Sequence, residues 1–198
     1  MRKFNRQGSL ASIPSRNALH GLQTEGRTSL SHSQSASPNN SHARAVKVLA
    51  LWALAVFSFD YASKTLASQL ITPGAHSVIG TLLQLELVHN SGAAFSLGNS
   101  AGVLFAMVSL AAIAGILYFS RSLTSKRWAT ALGLLLGGVI GNLSDRCFRA
   151  PYWFRGEVID WIKLPHWPVF NLADTSIVIS AVAIALLLIN NVKPRQLS

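Results

Sequence analysis

The chain has 198 residues, half of them hydrophobic and only 12% charged, with a formal net charge of +10. That charged fraction is about half of what a soluble domain carries, so the composition excludes an ordinary soluble enzyme and indicates a membrane protein. The positive charge does not indicate nucleic acid either: residues 1–47 hold seven Lys/Arg against the single acid Glu25, the rest sits in short loops, and no basic stripe with interleaved aromatics occurs.

Residues 1–43 carry nine serines and few large apolar side chains, and they predict a disordered basic tail. The tail has neither an apolar core followed by a small-residue cleavage site nor paired arginines, so it is not read as a cleavable signal. A membrane domain is expected over 44–194. Its first helix, about 45–68, meets Asp60 and Lys64 after twelve uncharged, almost wholly apolar residues. The i,i+4 spacing puts acid and amine on one helical face, where they can pair, and ionisable groups in a span face a bundle interior.

Residues 71–98 open with Thr72-Pro73-Gly74, and the alternation of Leu83-Gln84-Leu85-Glu86-Leu87 predicts short strands outside the membrane core. A loop rich in small residues follows, from His89 and Asn90 through Gly92, Ala93 and Phe95 to Gly98. Three uncharged runs then have the length of membrane spans, at 101–119, 128–144 and 175–192. The third predicted helix carries Gly133, Gly137 and Gly141 at four-residue spacing, a stripe that lets a neighbouring helix approach closely. Cys147 is the only cysteine, which excludes an intramolecular disulfide and a Cys-rich metal site; it is read as a small packed residue.

The fold class expected is a membrane α-helical protein of four transmembrane helices, with a small extracytoplasmic β-like segment and the disordered tail. Lys and Arg are absent from 71–98, whereas Arg44, Lys47, Arg121, Lys126, Arg127, Lys193 and Arg195 flank the spans on the other side. The bias places both termini in the cytoplasm, although four basic residues between Arg146 and Lys163 blur it.

The membrane part holds six acids: Asp60, Glu86, Asp145, Glu157, Asp160 and Asp174. Two aspartates brought together cannot both ionise comfortably, so one keeps a proton while the other stays charged, which supplies an acid and a base for hydrolysis by water. Asp174 starts a helix, where a carboxylate is a natural N-cap and the ionised form is favoured; if it pairs with Asp160 and nothing else intervenes, Asp174 is expected as the base and Asp160 as the acid. Other hydrolytic chemistries lack their residues, since no His-Glu-x-x-His and no Gly-x-Ser-x-Gly occurs. The residues alone leave three other readings open. The acids can serve a proton-coupled transporter or channel subunit. The glycine face can serve a noncatalytic assembly factor. Asp145 can pair with Arg146 or Arg149, and Asp160 with Lys163, merely to stabilise loops.

The ordered set of motifs narrows this. Asp60-x-x-x-Lys64, Asn90-x-Gly92-Ala93-Ala94-Phe95, Gly141-Asn142-x-x-Asp145-Arg146, Val158-Ile159-Asp160-Trp161 and Phe170-Asn171-x-Ala173-Asp174 together resemble the lipoprotein signal peptidase (signal peptidase II) family. The resemblance covers about residues 45–192. It implies an aspartic endopeptidase of the bacterial cell membrane, active at the extracytoplasmic face without metal or cofactor. Its implied substrates are diacylglyceryl-modified prolipoproteins, cut before the lipidated cysteine, and membrane lipid is its other partner. Asp160 and Asp174 match the catalytic pair; Asp60, Lys64, Asn90, Asn142, Asp145, Arg146 and Asn171 match positions that bind substrate or support the site. The 146–160 segment is longer than the compact family loop, and its Tyr152-Trp153-Phe154 tip is expected to cover the site or rest among headgroups.

Overall fold

The structure, a computed structural model, describes residues 38–92, 101–150 and 154–195. The tail over 1–37, the Ala93–Gly98 part of the small-residue loop, and Tyr152 and Trp153 lie outside the described residues. Among the described residues four helices and a three-stranded sheet follow one another as α1 (Pro38–Leu70), β1 (His76–Ile79), β2 (Leu83–Asn90), α2 (Ala101–Ser120), α3 (Lys126–Phe148), β3 (Val158–Lys163) and α4 (Leu172–Ile189). Helix α1 begins seven residues before the expected Ala45.

Helices α1, α2 and α4 are long and apolar enough to cross a membrane. Their outward faces carry Leu51, Leu54, Leu104, Met107, Val178 and Val182, each at least half exposed. Helix α3, expected as a further span, is of a different kind. Its four glycines, together with Asn142, Ser144, Asp145 and Arg146, dilute its apolar content, and it is buried along most of its length, from Trp128 and Leu132 to Leu143. It packs against α1, α2 and α4.

The glycine stripe explains how closely these helices approach. A Cβ on Gly133 would lie 2.6 Å from Leu49 O, and one on Gly137 would lie 2.7 Å from Ala53 O, so both positions face α1. Gly138 faces α4, where a Cβ would lie 2.6 Å from Ala173 O. Gly141 faces the Asp60 carboxylate. Small residues thus let backbones meet where lipid offers no hydrophobic drive to association.

The sheet is antiparallel in the order β1-β2-β3. Gly80 takes a positive φ of 51° at the β1–β2 turn, and β2 bulges between Leu85 and Val88. In register, Val88 sits opposite Asp160 and Asn90 opposite Val158. Beyond β3 the chain turns through Pro165 and His166, the latter at φ 58°, and Phe170 returns to pair with Ile162. Phe170 O accepts from Trp161 N at 3.0 Å and from Ile162 N at 2.8 Å, which brings Asn171 back beside Asp160.

Candidate active site

Four elements, β2 with Asn90 among them, deliver the two aspartates and their amides. Asp160 is the third residue of β3, Asn171 precedes α4, Asp174 lies in its first turn, and Asn142 projects from α3. Asn171, not Asp174, is the N-cap: its Oδ1 accepts from Asp174 N at 2.8 Å, while Asp174 Oδ2 accepts from Asn171 N at 3.3 Å. This capping box corrects the expected role of Asp174 as N-cap and fixes its side chain from both ends.

Asn171 Nδ2 donates to Asp160 Oδ1 at 2.6 Å and to Asn142 Oδ1 at 3.2 Å. Asn142 Nδ2 donates to Asp174 Oδ1 at 2.7 Å, and Asn90 Nδ2 donates to Asp160 Oδ2 at 3.0 Å. Amides thus hydrogen-bond both carboxylates, Asn171 and Asn90 holding Asp160 and Asn142 holding Asp174. Buried amides and carboxylates in such a chain satisfy one another, which offsets their loss of water.

Asp60 and Lys64 form the expected i,i+4 pair at 2.7 Å, both essentially inaccessible to solvent. Lys64 also reaches Asp145 Oδ2 at 2.8 Å and Asn142 Oδ1 at 2.9 Å. Asp145 pairs with Lys64 and, at 2.6 Å, with Arg149, which leaves Arg146 outside that pair. Lys163 pairs with Glu86 and not with Asp160. The loop-stabilising reading thus holds for Asp145 with Arg149 and fails for Asp160. Asp60 Oδ1 accepts from Ala173 N at 2.8 Å, a backbone contact next to Asp174 for which the sequence carries no signal.

The two carboxylates differ in environment. Asp160 is 2% exposed, whereas Asp174 is half-buried and lines a cavity of about 340 Å³ with Asn90, Phe105, Val139, Asn142 and Arg146. Burial raises the Asp160 carboxyl from 3.8 to about 6; the donor Asn90 opposes the rise, the nearby Asp174 charge adds to it, and Asn171 opposes it again. The pair is therefore built unequally, with a buried aspartate that favours its proton and a more open one whose oxygens are met by an amide and a helix N-terminus.

Arg146 lies against the same cavity, 8% exposed, its guanidinium 5.3 Å from the centre of the Phe105 ring. Its Nε and Nη1 have no hydrogen-bond partner. Buried donors without partners are costly, and Arg146 is among the residues that line the cavity. Phe105 was not foreseeable, being one apolar residue in an apolar helix. Among the described residues no group of three or more His, Cys, Asp or Glu side chains is placed to hold a metal ion.

A helical bundle with helices of membrane-crossing length and two aspartates joined through asparagine amides defines a class: an integral membrane protein with an inbuilt carboxylate pair. The family described as signal peptidase (SPase) II matches residues 52–190. The chain is 40% identical over 145 residues to the lipoprotein signal peptidase of Mycobacterium leprae (strain Br4923), covering 73% of this chain and 72% of that one. It is 41% identical to the lipoprotein signal peptidase of Rhodococcus jostii (strain RHA1), over 70% of this chain and 71% of the relative. A solved bacterial membrane enzyme superposes with a TM-score of 0.62 at 25% identity, covering 75% of this chain and 93% of that one. The chain belongs to the signal peptidase II family and is a peptidase of the bacterial membrane.

Proposed function

We propose that Asp160 and Asp174 are the catalytic pair of an aspartic endopeptidase that removes the signal peptide from diacylglyceryl-modified prolipoproteins, cleaving before the lipidated cysteine. The observation that carries this reading is the amide-linked pair itself, one member buried and the other open to the cavity. Asp174, as the carboxylate, takes a proton from water while the water oxygen attacks the scissile carbonyl carbon. Asp160, as the acid, gives its proton to the carbonyl oxygen. Collapse of the tetrahedral species breaks the C–N bond as Asp174 passes its proton to the departing amine, and Asp160 recovers its own from the hydroxyl. The unpartnered donors of Arg146 bind a backbone carbonyl of the substrate. Asn90, Asn142 and Asn171 hold the aspartates, and Asp60, Lys64 and Asp145 hold the asparagine and the helix start beneath them.

Residues 44–194 form the peptidase domain, with α3 as its fourth span, screened from lipid by its neighbours. Both termini lie in the cytoplasm and the sheet with the aspartate pair lies at the extracytoplasmic face, in keeping with the distribution of Lys and Arg. Substrate enters sideways from the bilayer with its acyl chains still in lipid.

The test incubates purified full-length protein with a diacylated prolipoprotein and with its unlipidated counterpart. Asp160→Asn and Asp174→Asn each lose about 10²–10⁴-fold in cleavage rate, and the unlipidated chain is cut far more slowly. Undiminished cleavage by either variant would remove the pair assignment, and equal cutting of both substrates would remove the lipid requirement.

A further inference from the structure

At the end of the bundle opposite the aspartates, the start of α1, the α2–α3 loop and the residues after α4 enclose a cavity of about 610 Å³. Arg44, Lys126, Arg127 and Lys193 line it, and among the described residues no acid does. The three segments are tied together. Thr124 N and Ser125 N both donate to Pro194 O at 3.1 Å, Trp128 Nε1 donates to Val192 O at 2.7 Å, and His42 Nδ1 stands 2.9 Å from Leu123 O. The six acids of residues 44–195 begin at Asp60 and belong to the far part of the bundle, the sheet and its loops, so among the described residues no acidic side chain pairs with the four cations. Along α3, Arg127 and Asn142 are separated by about 22 Å at 1.5 Å per residue, well beyond the reach of direct pairing at physiological ionic strength.

A second feature continues from the first. Arg127 and Val192 also line a groove of about 580 Å³ between α3 and α4, whose walls are Ala131, Leu134, Ala183, Leu186 and Leu187. It opens on the same helix face that exposes Val182, Leu186 and Ile189. A cationic cup joined to an apolar groove is complementary to a molecule with an anionic head and a hydrocarbon chain. The first turn of α3, which opens at Lys126 beside the cup, has no side-chain cap from Ser125.

We propose that this end of the bundle is a binding site for one anionic phospholipid, with its phosphate among Arg44, Lys126, Arg127 and Lys193 and an acyl chain in the α3–α4 groove. The bound lipid joins the two helices that carry Asn142 and Asp174 from the end remote from the chemistry. The site stands independently of the catalytic assignment.

Native mass spectrometry of the full chain, extracted from bilayers of phosphatidylglycerol and phosphatidylcholine with identical acyl chains, tests it. One phosphatidylglycerol should be retained at least tenfold in preference to phosphatidylcholine. Arg127→Gln combined with Lys193→Gln, both exposed and hence without consequence for folding, should abolish that preference, whereas Arg121→Gln, outside the cavity, should preserve it. Ala183→Trp, which fills the groove, should lower phosphatidylglycerol retention. Equal retention of the two lipids would overturn the proposal, as would a loss of the same size in Arg121→Gln, which would mean unspecific surface charge. Competition by free glycerol 3-phosphate at the affinity of the lipid would also overturn it, since the site would then serve a soluble anion.

Discussion

Lys64 Nζ lies 2.9 Å from Asn142 Oδ1. Because an ammonium only donates, this contact determines which end of the Asn142 amide faces Asp174: the oxygen is held by Lys64 and the NH₂ is left to donate to the aspartate. A lysine in the first helix thereby sets the hydrogen bonding of a carboxylate in the last one.

Lys64→Met tests that dependence. The substitution leaves Asp60 and Asp145 buried without their shared cation, and removing one partner of a buried pair costs about 3–5 kcal/mol. Thermal unfolding in detergent should show the loss. Cleavage by the fraction still folded should fall in kcat at unchanged KM, because Asn142 is free to turn. An unchanged kcat would confine Lys64 to packing.

The raised Asp160 carboxyl gives both stability and cleavage a pH dependence. Between 3.8 and about 6 the folded chain keeps a proton that the unfolded chain releases, so stability declines as pH rises through that window, by roughly 3 kcal/mol in total. Unfolding curves taken from pH 4 to pH 7 should show this decline in the wild type and its disappearance in Asp160→Asn. If Asp160 is the acid, kcat/KM falls about tenfold per pH unit above about 6. Asn90→Leu removes a donor that stabilises the charged form, so this alkaline limb moves to higher pH; a limb that stays in place would take Asp160 out of the acid role.

The glycines of the bundle divide by what surrounds them. Gly137→Ala places a Cβ 2.7 Å from Ala53 O and from Val56 Cβ, and since a backbone carbonyl cannot step aside, the helices separate at a cost of about 1–3 kcal/mol. Gly138→Ala presses instead on Ala173 O, beside Asp174, and should lower cleavage along with stability. Gly115 on α2 has nothing within 4 Å of its Cβ position, so Gly115→Ala should be neutral or stabilise by up to about 1 kcal/mol. Melting temperatures of the three variants measure the contrast.

Arg146→Gln removes the buried cation and its fork of donors from the cavity wall. A hydrogen bond to a charged group contributes about 1.5–3 kcal/mol, so KM for the prolipoprotein should rise about 10- to 100-fold with a smaller change in kcat. Arg146→Lys should recover little, because one ammonium cannot replace two fixed N–H groups. A loss confined to kcat would assign Arg146 to the transition state and not to substrate binding.

Much of this protein was legible before any coordinate. The uncharged runs, the strand alternation near Leu85, the small-residue face at Gly133 and Gly137 and the Asp60–Lys64 pair all rest on regularities of a few residues, which a helix or strand period exposes directly. The order of the polar motifs likewise identified Asp160, Asp174 and the residues about them as one group. Only the tertiary structure decided how that group is wired. It made Asn171 the cap in place of Asp174, joined Asp145 to Lys64 and Arg149 and not to Arg146, and left Arg146 facing the cavity. It also made α3 the shared inner helix, which is why its composition is less apolar than that of its neighbours. The physical reason is the same in each case. A hydrogen bond between residues on different elements leaves no trace in local spacing; partners as far apart as Lys64 and Asn142 are selected only when packing removes water and each buried polar atom must find a partner within reach.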